Sequence, residues 1–406
     1  MNRSLKLVAP LLAALAIAAC NAGGTSNVPA SAGASQSIPA AFKHVPQWAA
    51  KHEARTECPQ VVGKPTCFAL QVQKGGIVPL CSPSSSCGFT AAQLEAAYGL
   101  TGQLTRGAGT KVALIEAGDL AAAATDLATY RSTYGLGTAS FFKYNETGQQ
   151  SNYPPSCENY GWCLETDLDI DMVSASCPKC TIYLMEAKGP IADFEAAEKE
   201  AVTLGATVLS NSWGCYGSWD CGDTNFPNAF NTPGIAYLAS SGDAGYNNIG
   251  GPGALATVIA VGGTQLEQSG STYSESIWDD AGAGCADAAV VGTAVPKPSW
   301  QHDPGCTSRT DTDISSESGC SPGVATYIGL YGGWTDVCGT SVASPFNAGI
   351  MALRGNAAKM NGGEHFWKLR KQARTKHEHA ITTGNDGSCG GSYLCTAGTG
   401  QFKTYS

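Results

Sequence analysis

Cys338-Gly339-Thr340-Ser341-Val342-Ala343-Ser344-Pro345, running into the small-residue stretch 346–353, is the segment from which the rest of the chain is best read. A Gly-Thr-Ser triplet that opens an Ala/Gly-rich helix, with proline near its start, suits an exposed nucleophile. Gly339 would let a substrate approach the backbone, and Ser341 would sit where helix-terminal N–H groups stabilise developing negative charge. The same letters also fit a Ser/Thr N-cap on an ordinary buried helix. The surrounding sequence has to separate these two readings.

N-terminal to this segment the chain alternates between apolar runs and helical patterns. Residues 90–98 read as a capped helix ending at Gly99, and 120–134 and 191–204 as further helices. Residues 111–116, 181–186, 206–210, 234–240 and 256–261 read as strands, the last closed by Gly262-Gly263-Thr264. Near-continuous apolar strands separated by helices predict an α/β fold: a mostly parallel sheet covered on both faces. In such sheets functional groups collect at the carboxyl ends of the strands. The polar clusters Asn211-Ser212-Trp213-Gly214 and Ser241-Gly242-Asp243-Ala244-Gly245 stand at those ends. Residues 265–338 predict long surface loops with a hairpin, and 364–374 a basic, exposed helix.

Composition sets the class. With 406 residues, 43% hydrophobic and only 14% charged, the chain can bury a large core, and 50 glycines suggest many turns. A net charge of −9 without any basic stripe excludes nucleic acid as the natural partner. Residues 1–20 carry Arg3 and Lys6 ahead of a short apolar core, the pattern of an export signal too short to span a membrane comfortably. The core ends in Ile17-Ala18-Ala19-Cys20, which resembles a bacterial lipobox with Cys20 as the lipidated residue; a plain secretory signal is the alternative. Residues 21–42, rich in Ala, Ser, Gly, Asn and Pro, predict a flexible tether, and 43–88 a small disulfide-stapled unit with a strand-like run at 67–72. Of 17 cysteines, setting Cys20 aside leaves an even number, many in close pairs: 58/67, 81/87, 157/163, 177/180, 215/221 and 389/395. Metal sites compete in principle, but no paired Cys-x-x-Cys repeat exists, and local disulfides in an oxidising compartment are the better account. Partners for Cys285, Cys306, Cys320 and Cys338 stay open at this stage.

A serine nucleophile needs a base. The six histidines all lie outside residues 53–301, the region that holds the strand-end clusters, so a Ser-His-Asp enzyme is poorly supported. The acidic run Glu165-Thr166-Asp167-Leu168-Asp169-Ile170-Asp171-Met172 is more informative. On a helix, Glu165 and Asp169 are i and i+4 and share a face. Like charges at that spacing destabilise a helix unless one carboxyl holds a proton, and a coupled pair of this kind can serve as a base in acid. A solvated acidic face is the plain alternative; the intervening Leu164, Leu168, Ile170 and Met172 argue for burial.

Glu165-x-x-x-Asp169, Ser212-Trp213-Gly214, Ser240-Ser241-Gly242-Asp243 and Gly339-Thr340-Ser341-x-x-x-Pro345 occur in this order. Together they resemble the sedolisin (serine-carboxyl peptidase) family, from about Phe89 onward, and residues 89–406 are expected to form its catalytic domain. Phe89-Thr90-x-x-Gln93, Pro298-x-Trp300-Gln301 and Arg309-x-x-x-Asp313 are similar to other family segments. The resemblance implies a subtilisin-like three-layer fold. It also implies Ser341 as nucleophile, Glu165 as general base, Asp169 as its partner and Asp243 in the oxyanion hole. A protonated Asp243 can donate to a tetrahedral oxyanion, whereas an ionised one would repel it. Peptide substrate is expected to pair with Ser212-Trp213-Gly214 in strand fashion.

Two departures stand out. The family usually carries a large propeptide, whereas the Cys-bearing 43–88 unit is short: either a reduced prosegment or a retained accessory. The family's C-terminal calcium site uses an Asp where Ala380 precedes Ile381-Thr382-Thr383-Gly384, and its later Gly-Tyr-Asp element is missing at Gly400-Gln401-Phe402. No cofactor is required by this reading; calcium belongs to the family's pattern, but its Asp ligands are missing here. The expected protein is a monomeric serine endopeptidase acting in acid on protein or peptide substrates, exported to the bacterial cell envelope on a lipid anchor or secreted. The alternative is a catalytically silent surface lipoprotein that uses the fold for binding or scaffolding. An ester hydrolase is less consistent, because no Gly-x-Ser-x-Gly elbow occurs.

Overall fold

The apolar runs become strands because both of their faces are covered: Val112, Ala113, Leu114 and Ile115 are all fully buried in succession. The computed structural model describes residues 46–369 except 52, 62, 80, 84–86, 216, 217 and 361, together with 378–387, 389, 394–397 and 403–405. The expected export signal with Cys20, the expected tether and the start of the expected 43–88 unit fall outside the described residues.

The strands in chain order are β1 (Ala54–Thr56), β2 (Pro65–Cys67), β3 (Leu70–Val72), β4 (Lys111–Ala117), β5 (Ser140–Asn145) and β6 (Thr181–Ala187). Next come β7 (Val208–Asn211), β8 (Trp213–Cys215), β9 (Ala236–Ser240), β10 (Val258–Ser269), β11 (Thr272–Ile277) and β12 (Gly284–Cys285). The last are β13 (Thr310–Asp311), β14 (Ile314–Glu317), β15 (Val324–Ile328), β16 (Gly333–Cys338), β17 (Glu378–Ala380) and β18 (Lys403–Tyr405). The helices are α1 (Gln47–Ala50), α2 (Ala91–Ala97), α3 (Ala123–Thr133), α4 (Cys163–Ser176), α5 (Ile191–Thr203), α6 (Ala288–Val291), α7 (Thr340–Arg354) and α8 (Glu364–Leu369).

The main sheet runs β17-β18-β14-β10-β9-β7-β4-β6-β5, with β11 added to β10. All neighbours from β18 to β5 are parallel, and β17 and β11 are antiparallel additions. Helices flank it, as expected of an α/β fold with a mostly parallel sheet. Helix α2 begins at a capping box in which Thr90 and Gln93 satisfy each other's backbone N–H groups. Helices α4 and α7 pack against each other and across the sheet. Every residue of α4 is buried, as is every residue of α7 up to Leu353.

Several expectations change. Gly262 and Gly263 do not close a strand; they lie inside the 12-residue β10, where their backbones pair with Ser315 and Ser316 of β14. Within 265–338, β11 supplies the hairpin, but β14, β15 and β16 are largely buried ladder strands, not surface loop. Helix α8 is not a freely exposed basic helix, since Phe366 and Trp367 are buried and Trp367 Nε1 donates to Asp313 Oδ1 at 2.7 Å. Residues 370–377 lie outside the described residues.

The expected close cysteine pairs form disulfides, and Cys285–Cys306 and Cys320–Cys338 complete the set. The described part of 43–88 is woven into the body. The strand-like run at 67–72 divides into two strands, β2 pairing antiparallel with β8 and β3 with both β1 and β16. No described helix is long and apolar enough to cross a membrane.

Candidate active site

Three elements carry the predicted residues to one buried point. Ser341 is the second residue of α7, behind Gly339, whose φ of 108° is a conformation that favours glycine. Its hydroxyl donates to the Ser212 carbonyl at 3.3 Å. Glu165 and Asp169 lie one turn apart on α4, both fully buried. Asp169 accepts from Ser212 Oγ, which sits 2.8 Å from each carboxylate oxygen. Asp243 hangs from the loop after β9. Its Oδ1 accepts from both the N–H and the hydroxyl of Thr340, each at 2.8 Å, while Oδ2 is buried without a hydrogen bond.

Of the expected substrate strand, Ser212 and Gly214 border this point through their backbones. The Trp213 side chain does not. It is fully buried, edge-on to Phe194 at 4.9 Å and near Phe226 at 6.2 Å, where it fills the core.

The edge of that strand is already occupied by the chain's own residues. Thr66 pairs with Gly214 and Cys67 with Trp213, and Phe68 N donates to the Ser212 carbonyl at 3.2 Å. Glu165 Oε2 accepts from Phe68 N at 3.0 Å and from Ala69 N at 2.7 Å. A Cβ built on Gly339 would collide with the Phe68 carbonyl oxygen and approach Asp243 Oδ2 to 2.6 Å. The glycine therefore lets a peptide carbonyl and the free carboxyl oxygen share one space.

Burial governs the electrostatics. It raises the Glu165 pKa well above the usual carboxyl value, and the nearby Asp169 charge adds to this; the Ala69 N–H pulls it down again. Asp169 is raised by burial and then by the nearby Glu116 carboxyl, itself raised by burial. Asp243 is pushed up to about 8, mainly by burial, against the lowering effect of Thr340. Because Oδ1 already accepts twice, the proton on Asp243 belongs on Oδ2. A hydroxyl, a basic carboxyl pair and a protonated carboxyl around one peptide group are the parts that acyl transfer needs. Sequence reading missed Thr340, Glu116 and the Phe68-Ala69 peptide. Thr340 stood inside the quoted triplet, whereas nothing in residues 67–72 distinguishes a cleft segment from a strand.

Ala380 offers no carboxylate where the family resemblance needs one, and among the described residues no group of three or more His, Cys, Asp or Glu is placed to hold a metal ion.

No family model matches the sequence. Xanthomonalisin of Xanthomonas sp. (strain T-22) is 29% identical over 238 residues, which are 53% of this chain and 27% of that protein. Sedolisin of Pseudomonas sp. (strain 101) is 26% identical over 330 residues, which are 72% of this chain and 55% of that protein. The chain thus spans little more than half, or less, of the relatives it matches. Among solved structures, Pseudomonas sedolisin, a serine-carboxyl proteinase complexed with two molecules of pseudo-iodotyrostatin, superposes with a TM-score of 0.65 at 24% identity, covering 79% of this chain and 96% of that one. The chain is therefore similar in sequence to two sedolisin-type peptidases and shares the α/β fold of Pseudomonas sedolisin.

Proposed function

We propose that the chain is an exported serine-carboxyl endopeptidase that works in acid. Glu165 takes the Ser341 proton as Oγ attacks a peptide carbonyl, Asp169 tunes and orients Glu165, and Asp243 donates from Oδ2 to the oxyanion. Glu165 then passes the proton to the leaving nitrogen, and water completes hydrolysis by the reverse sequence. The observation that carries this reading is the arrangement at Asp243. Thr340 occupies Oδ1 twice, which leaves a proton-bearing Oδ2 beside a peptide carbonyl.

The likeness to Pseudomonas sedolisin, a serine-carboxyl proteinase, supports the same chemistry, and among the described residues no histidine hydrogen-bonds this cluster. Activity should follow a bell-shaped pH profile, with an acid limb from the Glu165/Asp169 pair and an alkaline limb as Asp243 ionises through about 8. Ser341→Ala is expected to abolish cleavage of denatured protein in acid. Turnover that survives that change would remove Ser341 from the mechanism.

A further inference from the structure

Residues 65–69 lie in the cleft as a peptide would. The pairing of β2 with β8 runs antiparallel up to the Ser212 carbonyl, which accepts from Phe68 N. The Phe68 carbonyl oxygen and Asp243 Oδ2 both lie against Gly339, and the next nitrogen, that of Ala69, donates to Glu165 at 2.7 Å. The Phe68 ring enters a space walled by glycines: a Cβ on Gly214 would stand 2.6 Å from its Cζ and one on Gly242 3.9 Å. A carbonyl at the oxyanion donor, a leaving nitrogen at the base and a side chain in a pocket define a substrate register, with Phe68–Ala69 as the bond presented.

The flanks explain why such a bond would persist. On its N-terminal side, the Cys58–Cys67 disulfide ties β2 back towards β1, and β1 pairs with β3 on the other side of the bond through Ala54↔Val72 and Thr56↔Leu70. Strand β3 is itself held by β16, with Gln71 Nε2 donating to Thr335 Oγ1 at 3.1 Å. Upstream, Gln47 N and Trp48 N both donate to the Asp280 carboxylate, and Trp48 Nε1 donates to the Asp243 carbonyl at 2.9 Å. Both ends of the Phe68–Ala69 bond are therefore anchored independently of the bond itself.

Resting on the peptidase reading above, we propose that the strands β1, β2 and β3 carry a built-in substrate-like inhibitor: the chain cuts its own Phe68–Ala69 bond slowly and keeps both ends clamped in the cleft. In the cut, a bond forms between Ser341 Oγ and the Phe68 carbonyl carbon while the serine proton passes to Glu165. The C–N bond breaks as that proton moves to the Ala69 nitrogen, and water hydrolyses the ester. Because the Ala69 amine stays beside the ester, the reverse reaction competes and turnover is slow. In the intact state Glu165 Oε2 is engaged by two backbone N–H groups and the Ser341 hydroxyl is turned to the Ser212 carbonyl, which is a resting arrangement.

The test uses the full chain, its Ser341→Ala variant as the chemically dead control, and Phe68→Ala and Ala69→Pro as two independent ways of weakening the held strand, all checked for folding by circular dichroism. After incubation in acid, reduced samples of the parent chain should show a new N-terminus at Ala69 that the Ser341→Ala variant lacks, and the two fragments should co-elute on gel filtration under native conditions. Phe68→Ala or Ala69→Pro should raise the initial rate on an added unfolded protein by about tenfold or more, a change of about 1.4 kcal/mol in the inhibitory contact. Absence of the Ala69 terminus, separation of the fragments, or equal rates on added substrate in the parent and both folded variants would each overturn the inference. If the parent cleaves added substrate in a Ser341-dependent way under those outcomes, the peptidase reading survives; if no variant shows Ser341-dependent cleavage, that reading falls as well.

Discussion

Replacing Asp243 by asparagine separates the protonated carboxyl from its shape. In the folded chain the carboxyl is pushed from 3.8 to about 8, chiefly by burial. The sign follows from proton binding: near neutral pH the folded state holds a proton on Asp243 that the unfolded state has released, so this residue makes stability fall as pH rises from about 4 towards 8. Carried to neutrality, that is a cost on the order of 4 kcal/mol, at about 1.4 kcal/mol for each pH unit above the unfolded value.

Asparagine keeps an acceptor for Thr340 at Oδ1 and a donor at the Oδ2 position but has no proton to lose. Denaturant titrations of the parent and Asp243→Asn, each in acid and at neutral pH, should show the parent losing several kcal/mol more than the variant between the two conditions. The alkaline limb of kcat/KM should also move upward or vanish in the variant. Equal pH dependence of stability in both proteins would refute the assignment of a raised, proton-bearing Asp243. It would also remove the protonated oxyanion donor from the mechanism.

Thr340→Val deletes one of the two donors that lower the Asp243 pKa, so the alkaline limb of activity should shift to higher pH, with a stability loss of about 1 kcal/mol measured by denaturation. Gly214→Ala places a methyl where the Phe68 ring lies, and kcat/KM for peptides with phenylalanine before the cut bond should drop about 10- to 100-fold, with alanine peptides much less affected. Equal loss on both peptides would show that the glycine wall does not set the pocket.

The alternation of apolar runs was enough to read a parallel sheet with helices, since a strand buried on both faces has to be apolar throughout. The readings that failed were those that needed to know what lay opposite. Gly262 and Gly263 look like a turn, yet they continue a strand because β14 supplies the backbone partners. Residues 364–374 look basic and exposed, yet in the described part Asp313 draws Trp367 inward. Local cysteine pairs followed from short spacing, whereas Cys285–Cys306 and Cys320–Cys338 depend on loops that only the fold brings together.

What the sequence alone determined was the chemical inventory: Ser341 behind Gly339, the one-turn spacing of Glu165 and Asp169, Asp243 at a strand end, and no histidine among the strand-end clusters. These are local facts of residue type and helical period. Tertiary structure decided their partnerships, because each depends on atoms far away in the chain. Thr340 fixes which oxygen of Asp243 keeps its proton, α4 is buried deeply enough to raise every acid on it, and residues 65–69 take the place along Ser212-Trp213-Gly214 where the sequence suggested a peptide substrate.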